Sequence, residues 1–308
     1  MAQPTNSYGS LGTFTVLSRI VRDDLEKILV PASAFSFNAG GDIMESGSAV
    51  VAHLNTNVTP NPVQTVSIGS PIDYTTQMSQ QNTTAVTVNL NKWASDGFFL
   101  PEYLMNITPV KDLAQKFAGK KIYNIGLSIL NDLYSDITSA NFSNSVTISG
   151  ASFTYSVLNS SVFPVVTNLN MVPELSSLVL NNTAFYQLVS SLPSLPGWDV
   201  GQAVLKGQIP AEQFGLKQII RSPVVPTGLT GFISTPDSIA IASRVLAPIT
   251  PSETYGESFI VADPERGEQG FSLRARKWTP PDAPQTNCVW DCIYGHTPFN
   301  PNTLVRLI

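Results

Sequence analysis

The stretch TPVKDLAQKFAGKKIYNIGLSILNDLYSDITS, Thr108 to Ser139, reads as one long helix. Thr108 suits the N-cap, where a side-chain oxygen can take up an orphan backbone N–H, and Pro109 suits the first helical position. Val110, Leu113, Ala114, Phe117, Ile122, Ile125, Ile129, Leu133 and Ile137 then recur with the 3.6-residue period of a buried helical face. At ~1.5 Å per residue the rod would be roughly 45 Å long, well beyond the average globular helix of about 11–12 residues. Gly119 and Gly126 mark places where it can bend.

The flanks of this helix read mainly as β-structure. Upstream, Val63 to Ile68 is a short strand candidate, and in Thr84 to Leu90 the apolar Val86, Val88 and Leu90 alternate with Thr87 and Asn89. Between them Gly69 to Asn82 is polar apart from Ile72, Tyr74 and Met78. A two-stranded excursion with so little apolar cover is marginal in water, so the face of Val86, Val88 and Leu90 should lean on a neighbouring subunit. Phe98, Phe99 and Trp93 are expected in the core, since aromatics carry most apolar burial. Further upstream, Leu17, Ile20, Val21, Leu25, Ile28 and Leu29 form an amphipathic stretch ended by Pro31, expected to dock on something other than its own core.

Downstream, Leu178 to Leu180 reads as a strand, Thr183 to Ser191 as a short helix, and Pro236 to Ala247 as another helix opened by its proline. Phe271 to Trp278 and Asn287 to Tyr294 flank the tip Pro280-Pro281-Asp282-Ala283-Pro284. Prolines cannot donate backbone hydrogen bonds, so this should be a projecting hairpin end. Leu304 to Ile308 closes the chain as a strand.

The chain has 308 residues, of which 43% are hydrophobic and only 13% charged. The usual charged share is about 25%. With 17 Lys+Arg against 22 Asp+Glu the net charge is −5, which argues against a basic nucleic-acid reader. A soluble monomer normally keeps charge on its surface. Here Ser, Thr, Asn and Gln fill the polar positions, so much of the surface is expected to be buried against other copies of the chain. The polar N-terminus has no apolar run suited to a signal peptide, and no segment approaches the ~18 apolar residues of a membrane span. Two cysteines make no disulfide framework, which points to synthesis in a reducing cytoplasm.

Catalytic signatures are missing. There is no Gly-x-Ser-x-Gly elbow and no phosphate-binding Gly-x-x-x-x-Gly-Lys-Ser/Thr loop, and His53 and His296 are the two possible imidazole bases. The best constellation is Cys288, Cys292 and His296, spaced by four. On a strand they share one face, but four residues span ~13 Å, too far for one zinc ion with ligands at about 2.0–2.3 Å. Buried thiols and a hydrogen-bonded His are therefore expected, and neither a metal nor a cofactor. Arg266, Arg274, Arg276 and Lys277 form the densest basic cluster, open to two readings: contact with an acidic neighbour or polyanion, or a solvated strand face.

The order of elements resembles the major capsid proteins of tailed bacteriophages, a fold shared with herpesvirus capsid floors and encapsulins. One stretch carrying the likeness is Ser177-Leu178-Val179-Leu180-Asn181-Asn182-Thr183-Ala184-Phe185, with Leu188, Gly207-Gln208-Ile209, Ile219, Ser222-Pro223-Val224-Val225-Pro226 and Ala240-Ile241-Ala242. It looks like that family's axial domain. The other runs from Gly270-Phe271-Ser272 through Tyr294-Gly295-His296 to Asn300-Pro301-Asn302-Thr303-Leu304-Val305-Arg306-Leu307-Ile308, and looks like its peripheral-domain hairpin and closing strand.

The resemblance implies an α+β fold with an N-terminal arm (1–35), the start of a peripheral domain (36–55) and an extended β-hairpin loop (56–92). The rest of the peripheral domain (93–164) would carry a spine helix (108–139). An axial domain (165–248) and the hairpin with the closing strand (249–308) would follow. It further implies a shell protein, not an enzyme, that assembles with itself into hexamers and pentamers around double-stranded DNA without sequence-specific binding. A separate scaffolding protein, a portal and decoration proteins are the other implied partners, with no membrane and no cofactor. The place would be the virion, assembled in the bacterial cytoplasm. The loop tip holds no Lys, so Lys–Asn cross-linking there is not expected. Candidate intersubunit contacts are Asp73 and Tyr74 in the loop, and Arg274, Arg276, Lys277 and Asp282 around the proline tip, near a local threefold. An encapsulin-like nanocompartment is the close alternative. An α+β hydrolase is the alternative of another class, disfavoured by the missing nucleophile motif.

Overall fold

The computed structural model describes residues 25, 28–39, 49–56, 68, 82–101, 110–148, 153–191, 211–244, 258–260, 272–278 and 285–308. Its long helix, α1, spans Val110–Ser135, about 39 Å of rise. Ile122, Ile125, Ile129, Leu130 and Leu133 are all buried along one side of it. Burying such side chains contributes about 1.5–3 kcal/mol each. The helix stops four residues short of Ser139. Asp136, Thr138 and Asn141 take its end into a turn, with Ile137 N–H donating to the Tyr134 carbonyl and the Asn141 side chain to the Asp136 carbonyl. Short polar side chains that bond nearby backbone compete with helical hydrogen bonding in this way.

The strands are β1 (Ser36–Asn38), β2 (Ala49–Thr56), β3 (Asn82–Asn89), β4 (Lys92–Pro101), β5 (Ser145–Val146), β6 (Ser177–Leu180), β7 (Gln218–Arg221), β8 (Gly231–Ser234), β9 (Ile239–Arg244), β10 (Ser258–Ile260), β11 (Ser272–Trp278), β12 (Gln285–Pro298) and β13 (Leu304–Leu307). A six-stranded sheet has the order β1-β9-β12-β11-β10, with β4 pairing β12 as well. A five-stranded sheet has the order β5-β13-β8-β6-β7, and β2 pairs β3. The 14-residue strand β12 is the backbone of the first sheet. It is antiparallel to β4 along one edge, and to β11 and then β9 along the other.

Helix α1 lies against the inner face of this sheet. Cys288, Trp290, Cys292 and Tyr294 of β12 and Ile239 and Ile241 of β9 share its core. The second core lies beyond the five-stranded sheet. There Leu178, Leu180, Ile233, Val305 and Leu307 pack with Phe185 and Leu188 of helix α2 (Asn182–Ser191). Val179, Phe232 and Leu304, which alternate with these residues, belong to the α1 core instead. The five-stranded sheet is thus covered on both faces, and β6 and β8 are buried at every residue.

Several expectations need correction. The helix expected over Pro236 to Ala247 does not form in its described part, up to Arg244: a 3-10 turn at Pro236–Ser238 leads into β9. Ile239 and Ile241 enter the α1 core, while Ala240 and Ala242 enter a third cluster with Val50, Ala52 and Val88. A strand buried on both faces reads as a continuous apolar run and imitates a buried helix. The closing strand expected at Leu304 to Ile308 forms as β13 and pairs β8 and β5. The arm residues Leu25 and Leu29 belong to the chain's own core. Gly126 serves close approach, since a Cβ there would sit 2.8 Å from Ile28 Cγ2.

Trp93 and Phe99 are not core residues, at 61% and 58% exposed. Side chains alternate along β4, so Ala94, Phe98 and Leu100 face α1 while Trp93 and Phe99 face away. The strand partner of β3 is β2, which pattern reading missed. Val63 to Ile68 and the tip Gly69 to Asn82 lie outside the described residues, apart from Ile68 and Asn82.

Candidate functional site

Strand β12 carries two ionic clusters, one on each face, and a backbone crossing between them. On the face away from α1, Asp291 stands in register with Arg274 of β11. Arg274 donates through Nε to Asp291 Oδ1 and through Nη2 to Oδ2, both at 2.7 Å. Arg276, two residues on and so on the same face, places Nη2 2.8 Å from Oδ2 and its guanidinium 5.8 Å from the Trp278 ring centre. The side chain of Asp291 is 0% exposed and that of Arg274 4%. A fork-to-fork pair of this kind is directional as well as charge-assisted.

Arg274, one of the candidate intersubunit contacts, thus pairs within its own sheet with Asp291. Arg276 shares the same carboxylate and is neither free nor simply solvated. Asp73, Tyr74, Asp282, Arg266 and the Lys277 side chain lie outside the described residues.

On the opposite face, His296 meets the end of α1. Asp132 lies in the last turn of α1 and Asp136 in the turn just past its end. His296 Nδ1 lies 2.5 Å from Asp136 Oδ2, and Nε2 lies 2.9 Å from Asp132 Oδ2. Lys92, the first residue of β4, donates from Nζ to both carboxylate oxygens of Asp132 at 2.7 Å and also stands 2.8 Å from His296 Nε2. Tyr294 donates its phenol to Asp132 Oδ2 at 2.9 Å. The His296 side chain is only 3% exposed.

Burial alone would pull the His296 imidazolium down. The hydrogen bond and charge of Asp136, then the bond to Asp132, outweigh it and hold the imidazole above its ordinary value. Burial likewise raises the Asp132 carboxyl, but hydrogen bonds from Lys92, His296 and Tyr294 bring it below the usual carboxylate range. The third member of the expected constellation behaves differently. Cys292 is buried, and burial followed by the charge of Asp291 pushes its thiol up to about 12. A thiol so rarely ionised is a poor nucleophile or metal ligand. Cys288 is also buried, and among the described residues no His, Cys, Asp and Glu group is placed to hold a metal.

Between the clusters, Gly295 lets the hairpin cross the sheet. A Cβ on Gly295 would fall 1.8 Å from the Asn89 carbonyl oxygen. Next to it Thr297 Oγ1 donates to the Thr87 carbonyl at 3.3 Å. Val50, Ala52 and Val88 at the hairpin base pack against Ala240 and Ala242. Val88 is therefore buried by its own chain, not by a neighbour, while Val86 and Leu90 are half-buried. The arrangement is mechanical in character: two ionic clusters and one close crossing fix the helix, the sheet and the hairpin base to one another. Sequence reasoning missed Asp132 and Asp136, although two carboxylates four apart at the end of an apolar helical face are a visible signal of a buried cation.

No protein-family model matches the sequence, and no curated protein matches it either. Solved structures do. The capsid of Ralstonia phage GP4 aligns at a TM-score of 0.56 and 10% identity, over 89% of this chain and 89% of that one. The capsid of cyanophage P-SCSP1u aligns at 0.53 and 11%, over 90% and 87%. A virus-like particle from Pyrococcus furiosus aligns at 0.55 and 10%, over 96% and 98%. The class this defines is one of fold: the chain has the α+β fold of phage capsid shells. The resemblance to tailed-phage major capsid proteins drawn from the order of elements is the one the fold bears out.

Proposed function

We propose that this chain is a major capsid protein, whose copies form the hexamers and pentamers of an icosahedral shell around double-stranded DNA. The observation that carries the reading is the shared fold with the GP4 capsid across 89% of both chains. Assembly then works by interface burial. The exposed Trp93 and Phe99 on one face of β4 are suited to it, because an aromatic side chain can bury about 150–250 Å². A net charge of −5 suits a container that does not grip its polyanionic contents.

Scaffolding, portal and decoration proteins are the further partners this reading proposes, and the virion, assembled in the bacterial cytoplasm, is its place. Nothing in the reading requires catalysis. The test is expression of the chain alone and together with its scaffolding protein, followed by negative-stain imaging and sedimentation. Closed shells of uniform diameter are expected. A chain that stays monomeric under both regimes refutes the proposal.

A further inference from the structure

The two ring nitrogens of His296 face different demands. Nδ1 faces one group, the Asp136 carboxylate. Nε2 faces two, the Asp132 carboxylate at 2.9 Å and the Lys92 ammonium at 2.8 Å. A carboxylate only accepts hydrogen bonds and an ammonium only donates them. Nε2 can therefore satisfy one of these neighbours at a time. With a proton it donates to Asp132, and without one it accepts from Lys92. The Nδ1 proton stays with Asp136 in both states.

Among the described residues, the titratable groups around the ring are Lys92 from β4, Asp132 from the last turn of α1, Asp136 from the turn after it, and Tyr294 from β12 itself. From β9 the register partner of His296 is Ile241, and Arg244 stands opposite Ile293, on the other face. Strand β3 contains no charged residue and brings the Thr87 carbonyl to the neighbouring Thr297.

We propose that His296 is a pH-sensitive latch between the sheet and the end of the long helix. Protonated, it ties β12 to the end of α1 through two charge-assisted bonds, to Asp132 in the last turn and to Asp136 in the turn that follows. Deprotonated, it keeps only the Asp136 bond, to the turn that ends the helix, and turns Nε2 to Lys92, the residue that leads out of the hairpin into β4. The helix end is thus held more firmly in acid than in base, while the strand leaving the hairpin exchanges its partners. Because the folded imidazole titrates above its ordinary 6.5, the stabilisation is fully present below that value and is lost as pH rises through the folded midpoint. The latch belongs to the single subunit and stands whether or not the chain forms shells.

Hydrogen–deuterium exchange read by mass spectrometry tests it on the full chain, assembled or not. Exchange at the imidazole C2 position gives the midpoint of His296, and backbone exchange gives the protection of the helix end. The expected results are a midpoint above 6.5 and a loss of protection over Leu130–Ile137 as pH rises through it, beyond the intrinsic change in exchange rate. His296→Gln should abolish that pH dependence, and Asp136→Asn should move the midpoint downward. A midpoint at or below 6.5 overturns the latch. So does protection that does not follow the midpoint, or the same pH dependence in His296→Gln. If His296→Gln does not fold, an unmoved midpoint in Asp136→Asn overturns it equally.

Discussion

Replacing Asp291 with Ala removes the carboxylate that Arg274 and Arg276 share. Arg274 is 4% exposed and held bidentately, so it cannot turn to water without opening the sheet. Arg276, at 25% exposed, can partly rehydrate. Removing one partner of a buried ion pair destabilises by about 3–5 kcal/mol, because a charge is left desolvated. Total stabilities of domains are about 5–15 kcal/mol, so the loss is a large fraction of the whole. At about 2–4 °C per kcal/mol for larger domains, the melting temperature should fall on the order of 10 °C. The assay is thermal and urea unfolding of the unassembled subunit. Substituting Asp291→Leu, Arg274→Met and Arg276→Leu together should recover most of the loss, since buried ion clusters can be exchanged for apolar groups at little net penalty. The reasoning is refuted if Asp291→Ala changes subunit stability by less than about 0.5 kcal/mol, the range of ordinary surface substitutions. A subunit of normal stability that no longer assembles would place the cluster at an interface instead.

Other consequences follow from the same geometry. Gly295→Ala puts a methyl group 1.8 Å from the Asn89 carbonyl oxygen, so the hairpin base must shift. A loss of about 1–3 kcal/mol is expected, with faster proteolysis near Asn89–Lys92, and unchanged cleavage counts against the close crossing. Trp93→Ser and Phe99→Ser alter exposed side chains, so subunit melting should move by no more than about 0.5 kcal/mol while shell yield drops. A large loss of subunit stability would mean that these rings are core after all. Asp132, whose carboxyl is held low by Lys92, His296 and Tyr294 against the effect of burial, contributes stability that is present above 3.8 and lost as pH falls through its folded value. Asp132→Asn should flatten the acid limb of the stability–pH curve, and an unchanged limb would remove Asp132 from it.

The sequence by itself determined what is local. The apolar period from Val110 announces α1, and alternation announces β3, β11 and β12, because a helix or strand face repeats within a few residues. The order of these elements was enough for a fold resemblance. Tertiary structure alone decided which faces were covered and which charges met. Phe98 and Phe99 are adjacent and chemically alike, yet Phe98 packs against the α1 core and Phe99 is exposed, because only the position of α1 distinguishes the two sides of β4. Ile239 to Ala242 became a strand because Val50, Ala52 and Val88 close its second face. Arg274 looked like a surface cation until β12 set Asp291 beside it. His296 and Asp136 are separated by 160 positions in the chain, and no local pattern encodes their contact. Periodicity is written residue by residue, whereas burial and charge pairing depend on distances in space that exist only once the sheet and helix have come together.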